Sequence, residues 1–222
     1  MKFAEIRRRA EARKGGSDAL ESLLAQGPGP SADLRSLSDD RVLAELTKRV
    51  FQAGFNWRVI ENKWPGFEKA FHGFDVARNA MMSDEDLDRH LKNTEIVRNA
   101  AKILSVRDNA VFLSDLAAEH GSAAKFLADW PSSDLVGLWE ILKKRGSRLG
   151  GASGQYALRF LGKDSFMLSA SVVSALRQAG VIDGPATSKT AHRKIQAAFN
   201  AWAEESGESY TRMSRILAMS AD

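Results

Sequence analysis

The residues best suited to chemistry crowd into FQAGFNWRVIENKWPGFEKAF, Phe51 to Phe71, where Trp57, Trp64 and four phenylalanines surround a glycine turn. Aromatic surface beside such a turn has two physical uses: it fills a core, or it presents a face on which a flat or cationic group stacks. A second candidate is RGSRLGGASGQYALRF, Arg145 to Phe160, in which LGGASG forms a glycine turn between a basic helix and a new one. A turn of this kind leaves backbone N–H groups unpaired at a helix start, where a phosphate can accept them without an intruding side chain. Lys143, Lys144, Arg145 and Arg148 precede the turn, and Arg159 and Lys163 follow it. Helix, glycine hairpin and helix with cations on both flanks suit a nucleic-acid backbone, although packed helices often share such turns. The chain has no cysteine, which excludes disulfides and thiolate metal sites. His72, His90, His120 and His192 show no metal-ligand spacing.

Helices must position these groups. Apolar residues recur every three or four positions, in the stripes Leu135, Leu138, Trp139, Leu142; Leu168, Val172, Leu176, Ala179; and Ile195, Ala198, Phe199, Trp202. No run alternates convincingly as a strand, so the fold class is all-α. Ser38-Asp39-Asp40, Ser83-Asp84-Glu85-Asp86 and Thr187-Ser188 are helix starts, QAG at Gln52–Gly54 ends a helix, and WPG at Trp64–Gly66 reads as a break. GPGPS, Gly27 to Ser31, separates an N-terminal helical arm, residues 1–30, from a body of residues 31–222. With 222 residues and 44% hydrophobic content, the chain can bury one good core or two small lobes. The net charge of +4 and pI near 9.4 are compatible with a polyanionic partner but do not require one. Arg7, Arg8, Arg9, Arg13 and Lys14 form a further basic group whose plain reading is a solvated helix face. MKFAEIRRRAEARKGG has no apolar run suited to a signal sequence, and no segment approaches bilayer-spanning length. The expectation is a cytoplasmic protein without a membrane partner.

QAGFNW (Gln52–Trp57), FHGFD (Phe71–Asp75), MSDEDL (Met82–Leu87) and IVRNAAKI (Ile96–Ile103) resemble, in order and spacing, the core of the 3-methyladenine DNA glycosylase I family. The family pattern is approximately QAGLSW, F-x-x-FD, M-x-x-EDV and IIR-x-x-KI. LKKRGSRLGGASG and QAGVID, Gln178 to Asp183, match less tightly but sit where helix-hairpin-helix glycosylases carry the DNA-binding hairpin and the helix after it. The resemblance implies two helical lobes around a central cleft, double-stranded DNA containing an alkylated base as partner, and removal of that base by flipping and N-glycosidic cleavage in base-excision repair. It implies that Trp57 stacks on the extruded base and that Phe55, at the turn of Gly54, fills the vacated gap as a DNA wedge. Gln52 would bond the base or hold the turn. Lys143, Lys144, Arg148, Gly150, Gly151, Ser153 and Gly154 would bind the DNA backbone. Trp64, Phe67 and Phe71 read as core.

The sequence departs from the family at several positions. Arg49 stands where the family carries a glutamate, four residues before the alanine of QAG. A fixed positive charge repels a cationic base by about 4 kcal/mol at 4 Å and an effective dielectric of 20. Glu45 is placed to neutralise it as an i,i+4 pair, so Glu45, Arg49, Gln52 and Trp57 make up the expected base pocket. The family's N-terminal tyrosines have no counterpart, since only Tyr156 and Tyr210 occur. Many helix-hairpin-helix glycosylases place a catalytic aspartate after the hairpin; LSASVV offers Ser169 and Ser171, which suit a helix start instead. No residue is assigned as catalytic. The family's zinc site needs cysteines and cannot form, so no metal or organic cofactor is expected. The alternative activity is a glycosylase relative that binds DNA or a damaged base without cutting.

Overall fold

The computed structural model describes residues 1–27 and 29–221; Pro28 of the Gly27–Ser31 linker, Asp222 and the side chain of Ala32 lie outside the described residues. Among the described residues every regular element is a helix, and no helix is long and apolar enough to cross a membrane. The chain divides into two compact units, one of residues 1–31, 130–138 and 158–222, the other of residues 32–129 and 139–157.

The first unit holds α1 (Phe3–Lys14), α2 (Ser17–Ala25), α11 (Ala170–Gln178), α12 (Lys189–Ser206) and α13 (Tyr210–Ala221), and shares α9 (Leu135–Arg145) and α10 (Ala152–Phe160) with the second. Its core is aromatic. Phe166 stacks on Phe199 at 4.2 Å, Phe199 meets Trp202 edge-on at 5.4 Å, and Phe3 of α1 closes on Trp202 at 6.3 Å. The N-terminal helices therefore pack into this unit, with α1 against α13. Arg7 pairs with Glu11, Glu21 and Glu208 rather than standing free in solvent. Asp164 caps α13 by accepting from the backbone amides of Tyr210 and Thr211, and Ser188 and Ser169 cap α12 and α11.

The second unit contains α3 (Asp39–Gln52), α4 (Trp57–Ala70), α5 (Val76–Ala80), α6 (Asp84–Lys92), α7 (Ala100–His120) and α8 (Ala123–Asp129). Val42, Leu46, Val50 and Phe51 of α3 are buried, as are Ile103, Val106, Ala110 and Leu113 of α7, the helix against which α3, α5, α6 and α8 pack. Ser83 and Asp86 form a capping box at the start of α6. WPG does not break the chain: α4 runs through Pro65 to Ala70. A proline inside a helix costs about 3 kcal/mol. An aromatic ladder opposes that cost, since Trp64 stacks on Phe67 and Phe74, and Phe71 stacks on both of those phenylalanines. Gly66 is needed there because a Cβ would lie 2.5 Å from the carbonyl oxygen of Glu95.

His72, Gly73 and Phe74 all adopt left-handed backbone (φ 56°, 66° and 63°), a rare run for side-chain-bearing residues. Buried Asn79 holds the run by donating to the carbonyls of Phe71 (2.8 Å) and Asp75 (2.7 Å), on either side of it. Asp39 at the start of α3 also serves α8, because its carboxylate accepts the amides of Ala123 (3.0 Å) and Ala124 (2.9 Å). Asp39→Ala leaves two amides without their partner and is expected to lower stability by about 1–3 kcal/mol. Urea unfolding measures this; a loss under about 0.5 kcal/mol would show that water replaces the carboxylate.

Candidate functional site

The site is built at the turn between α3 and α4. Gly54 turns the chain with φ 75°, the Phe55 amide returns to the Gln52 carbonyl at 3.1 Å, and Asn56 caps α4 by accepting from Arg58 N at 3.0 Å. This tight geometry turns Phe55 and Trp57 outward, and each is 41% exposed. Phe67 and Phe71, only slightly further along, are fully buried, as expected of core residues, while Trp64 is half-buried and donates to Glu68 at 3.0 Å.

A polar ladder lies against Trp57. Arg49, 6% exposed, brings its guanidinium to 5.3 Å from the Trp57 ring centre. Its Nε donates to Glu45, and its Nη1 donates to Gln52 Oε1 at 2.7 Å. Gln52 is 2% exposed and passes the ladder on, its Nε2 donating to Glu61 at 3.1 Å. Glu61 in turn pairs with Lys48 at 2.8 Å. Gln52 is therefore held at both ends of its amide. Burial pushes the Glu45 carboxyl above its ordinary range, outweighing the opposing pull of its hydrogen bond and charge attraction to Arg49.

Behind the turn lies Lys102 of α7, 5% exposed, whose ammonium donates to the carbonyls of Phe51 (3.1 Å) and Ala53 (2.6 Å). The same ammonium lies 4.6 Å from the centre of the Phe55 ring. Burial first, and the charge of Arg148 second, hold its pKa below the usual lysine range.

The hairpin delivers Tyr156 of α10, whose ring meets Trp57 at 5.3 Å and 80°. Lys143, Lys144, Arg148, Gly150 and Gly151 are exposed and Ser153 is half-exposed. Arg148 and Gly151 both take positive φ, at 61° and 66°. Gly154 is buried, and a Cβ there would strike the Leu149 carbonyl oxygen at 2.3 Å, so its lack of a side chain serves the turn's own packing. Arg145 forms a two-pronged pair with Glu119 at 2.7 and 3.0 Å. The expected cation flank after the hairpin is absent: Arg159 and Lys163 are each 5% exposed and donate to the carbonyls of Ser165 and Trp130. Their long chains satisfy buried backbone instead of facing an anion.

Sequence reasoning missed Lys48, Glu61, Lys102 and Tyr156. IVRNAAKI contained Lys102, but nothing local distinguishes a buried lysine from a solvated one. A cavity of about 540 Å³, lined by residues such as His72, Arg78, Arg89 and His90, contains none of the predicted site residues. Burial holds both histidines below their ordinary range, helped at His72 by the charges of Arg78 and Arg89 and at His90 by His72 and Arg89. Among the described residues no three His, Cys, Asp or Glu side chains converge as a metal site, and with no cysteine in the chain the donors do not fit the zinc centre implied by the resemblance.

The sequence family described as methyladenine glycosylase matches residues 34–151, more than half of the chain. DNA-3-methyladenine glycosylase 1 of Escherichia coli K12 is 34% identical over 59 residues, which cover 27% of this chain and 32% of that protein. The alignment thus spans about a third of the curated relative. A crystal structure of 3-methyladenine DNA glycosylase I superposes with a TM-score of 0.51 at 27% identity, over 61% of this chain and 82% of that one. A Methanocaldococcus jannaschii 8-oxoguanine glycosylase/lyase solved with DNA gives a TM-score of 0.53 at 16% identity, over 96% and 95% of the two chains, which is a likeness of fold.

The Glu45–Arg49 pair yields a signed expectation. Folded Glu45 holds its proton more readily than the unfolded chain does, so its contribution to stability falls as pH rises from the ordinary glutamate value through the raised one. Glu45→Gln keeps an acceptor for Arg49 Nε and removes the buried charge. The variant is expected to be more stable than wild type at pH 7.5, with the gap narrowing as pH falls towards about 4.3. Urea unfolding across that range reads the gap; a more stable wild type at pH 7.5 would mean that attraction to Arg49 outweighs burial.

Proposed function

Since the chain belongs to the methyladenine glycosylase family, we propose that it acts on duplex DNA as a glycosylase, turning an alkylated adenine out of the stack, holding it beside Trp57 and releasing it in base-excision repair. The observation that carries this reading is the turn at Gly54, which exposes the aromatic side chains of Phe55 and Trp57 just after buried Gln52, beside a fixed polar ladder. Phe55 supplies an apolar wedge to replace the lost stacking, and the exposed part of Trp57 offers a face to the base. Lys143, Lys144, Arg148 and the backbone of Gly150, Gly151 and Ser153 receive the backbone phosphates, which fixes register without reading sequence.

In the reaction the bond between C1′ of the sugar and the base nitrogen breaks, and its electron pair leaves with the base. Water adds its oxygen to C1′ and gives up a proton. A base that is already cationic becomes neutral on leaving and needs no strong acid, which agrees with Ser169 acting only as a helix cap. The charge environment differs from that of a pocket lined by a lone carboxylate. Arg49 repels a cation 5 Å away by about 3 kcal/mol at an effective dielectric of 20, and Glu45, bonded to it, offsets much of that field. Gln52 is held by Arg49 and Glu61, so its role is to fix the turn.

A second reading, a relative that binds without cutting, is favoured by Arg49 itself, because a cation already lies against the indole. Release of methylated bases from alkylated DNA separates the two: release supports the glycosylase, and saturable binding without release supports the binder. Trp57→Ala is expected to abolish discrimination between alkylated and unmodified duplex while leaving the salt-dependent affinity for both largely intact. Full discrimination by the folded variant would place the base elsewhere. Arg49→Glu is expected to raise release of methylated adenine by about tenfold or more, the response to about 1.4 kcal/mol of barrier. A rate unchanged from wild type would remove Arg49 from the neighbourhood of the reacting base.

A further inference from the structure

One helix holds both of the turns that the proposed function assigns to DNA. Lys102 and Asn109 lie seven residues apart in α7, so they sit about 10 Å apart along the axis and within about 20° of the same face. Both are buried, at 5% and 1% exposure. Lys102 grips the α3–α4 turn through the carbonyls of Phe51 and Ala53. Asn109 grips the hairpin with both ends of its amide: Nδ2 donates to the Ser147 carbonyl at 3.1 Å, and Oδ1 accepts from the Ser147 amide at 2.8 Å. The hairpin packs so closely over Asn109 that a Cβ on Gly146 would lie 3.3 Å from its Oδ1. Buried polar side chains whose hydrogen bonds go to backbone atoms act on the geometry of that backbone.

We infer that Lys102 and Asn109 are paired positioning residues, Lys102 setting the pose of the wedge Phe55 and Asn109 setting the phosphate-binding hairpin, with α7 fixing the spacing between wedge and hairpin on the duplex. The assignment rests on the glycosylase reading of the site. Lys102 acts on Phe55 in two ways: it fixes the carbonyls on the approach to the turn, and it places a cation 4.6 Å from the ring. Asn109 makes no bond to the α3–α4 turn and Lys102 none to Ser147, so the link between the grips is the charge repulsion between Lys102 and Arg148. The two grips therefore predict separable defects.

The experiment uses the full chain and two fluorescent duplexes. Anisotropy of a labelled unmodified duplex reads backbone affinity, and 2-aminopurine placed next to a tetrahydrofuran abasic site reads wedge insertion at saturating protein. Lys102→Met is expected to keep duplex affinity within about threefold while losing most of the 2-aminopurine signal, and Lys102→Arg is expected to restore it. Asn109→Ala is expected to weaken affinity for both duplexes by about tenfold while keeping the signal once saturated. Lys102→Gln, which retains a donor for one carbonyl, supplies the comparison if the methionine variant does not fold. A full wedge signal in the Lys102 variants, or parallel loss of both readouts in every variant, overturns the assignment while wild-type binding leaves the DNA reading standing. Failure of the wild-type protein to bind either duplex overturns both.

Discussion

A buried ammonium underlies the architecture of the candidate site. Helix α3 ends with carbonyls that no further turn of helix can satisfy, and its end carries the negative pole of the helix dipole. Lys102 places a positive charge there with hydrogen bonds to two of those oxygens. Desolvation opposes this arrangement, as the lowered lysine pKa records, but the same charge removes the cost of two unpaired carbonyls. The chain can then turn at Gly54 within a few residues and start α4 at Trp57. Everything exposed at the turn depends on that rapid change of direction.

The charges around Trp57 follow a related logic. A lone buried arginine would be costly, and Arg49 is instead one link in a ladder that includes Glu45, Gln52, Glu61 and Lys48. Two positive and two negative side chains alternate with an amide, so the ladder is close to neutral as a whole while remaining strongly directional. Such networks fix side-chain positions more effectively than they add stability. The indole therefore stands beside an arrangement with few alternative rotamers, which suits recognition of a flat ligand. The edge-on ring of Tyr156 adds a second constraint from a distant part of the chain.

Much of the scaffold was legible because its causes are local. Helix periodicity, the caps at Ser83 and Ser188, and the end of α3 at Gln52 can all be read from neighbouring residues. The motif order from Gln52 to Ile103 pointed to the family that the matched segment identifies. The misread features depend on contacts between residues far apart in sequence. Pro65 suggested a break, yet the stacked rings on both sides of it keep α4 continuous. Arg159 and Lys163 suggested an anion-facing flank, but they are drawn inward by unsatisfied carbonyls that no sequence window displays. Tyr156 could be counted as one of only two tyrosines, but not placed against Trp57 without the path of the hairpin.

The exposure of Phe55 and Trp57 has an energetic meaning of its own. Full burial of a large apolar side chain is worth about 1.5–3 kcal/mol, and each of these rings forgoes a substantial part of that gain. Simple relaxation would fold both rings back against the unit. Phe55 is held by its place in a turn closed through Gln52 and gripped by Lys102, while Trp57 begins a capped helix with Arg49 and Tyr156 beside its ring. The apolar surface is thus maintained by polar interactions beneath it. A partner that supplies stacking, such as a base or the gap beside one, recovers the missing burial without first reorganising the protein. This pre-ordering makes the turn suited to flat aromatic partners, with the polar ladder beneath fixing the pose in which the rings are presented.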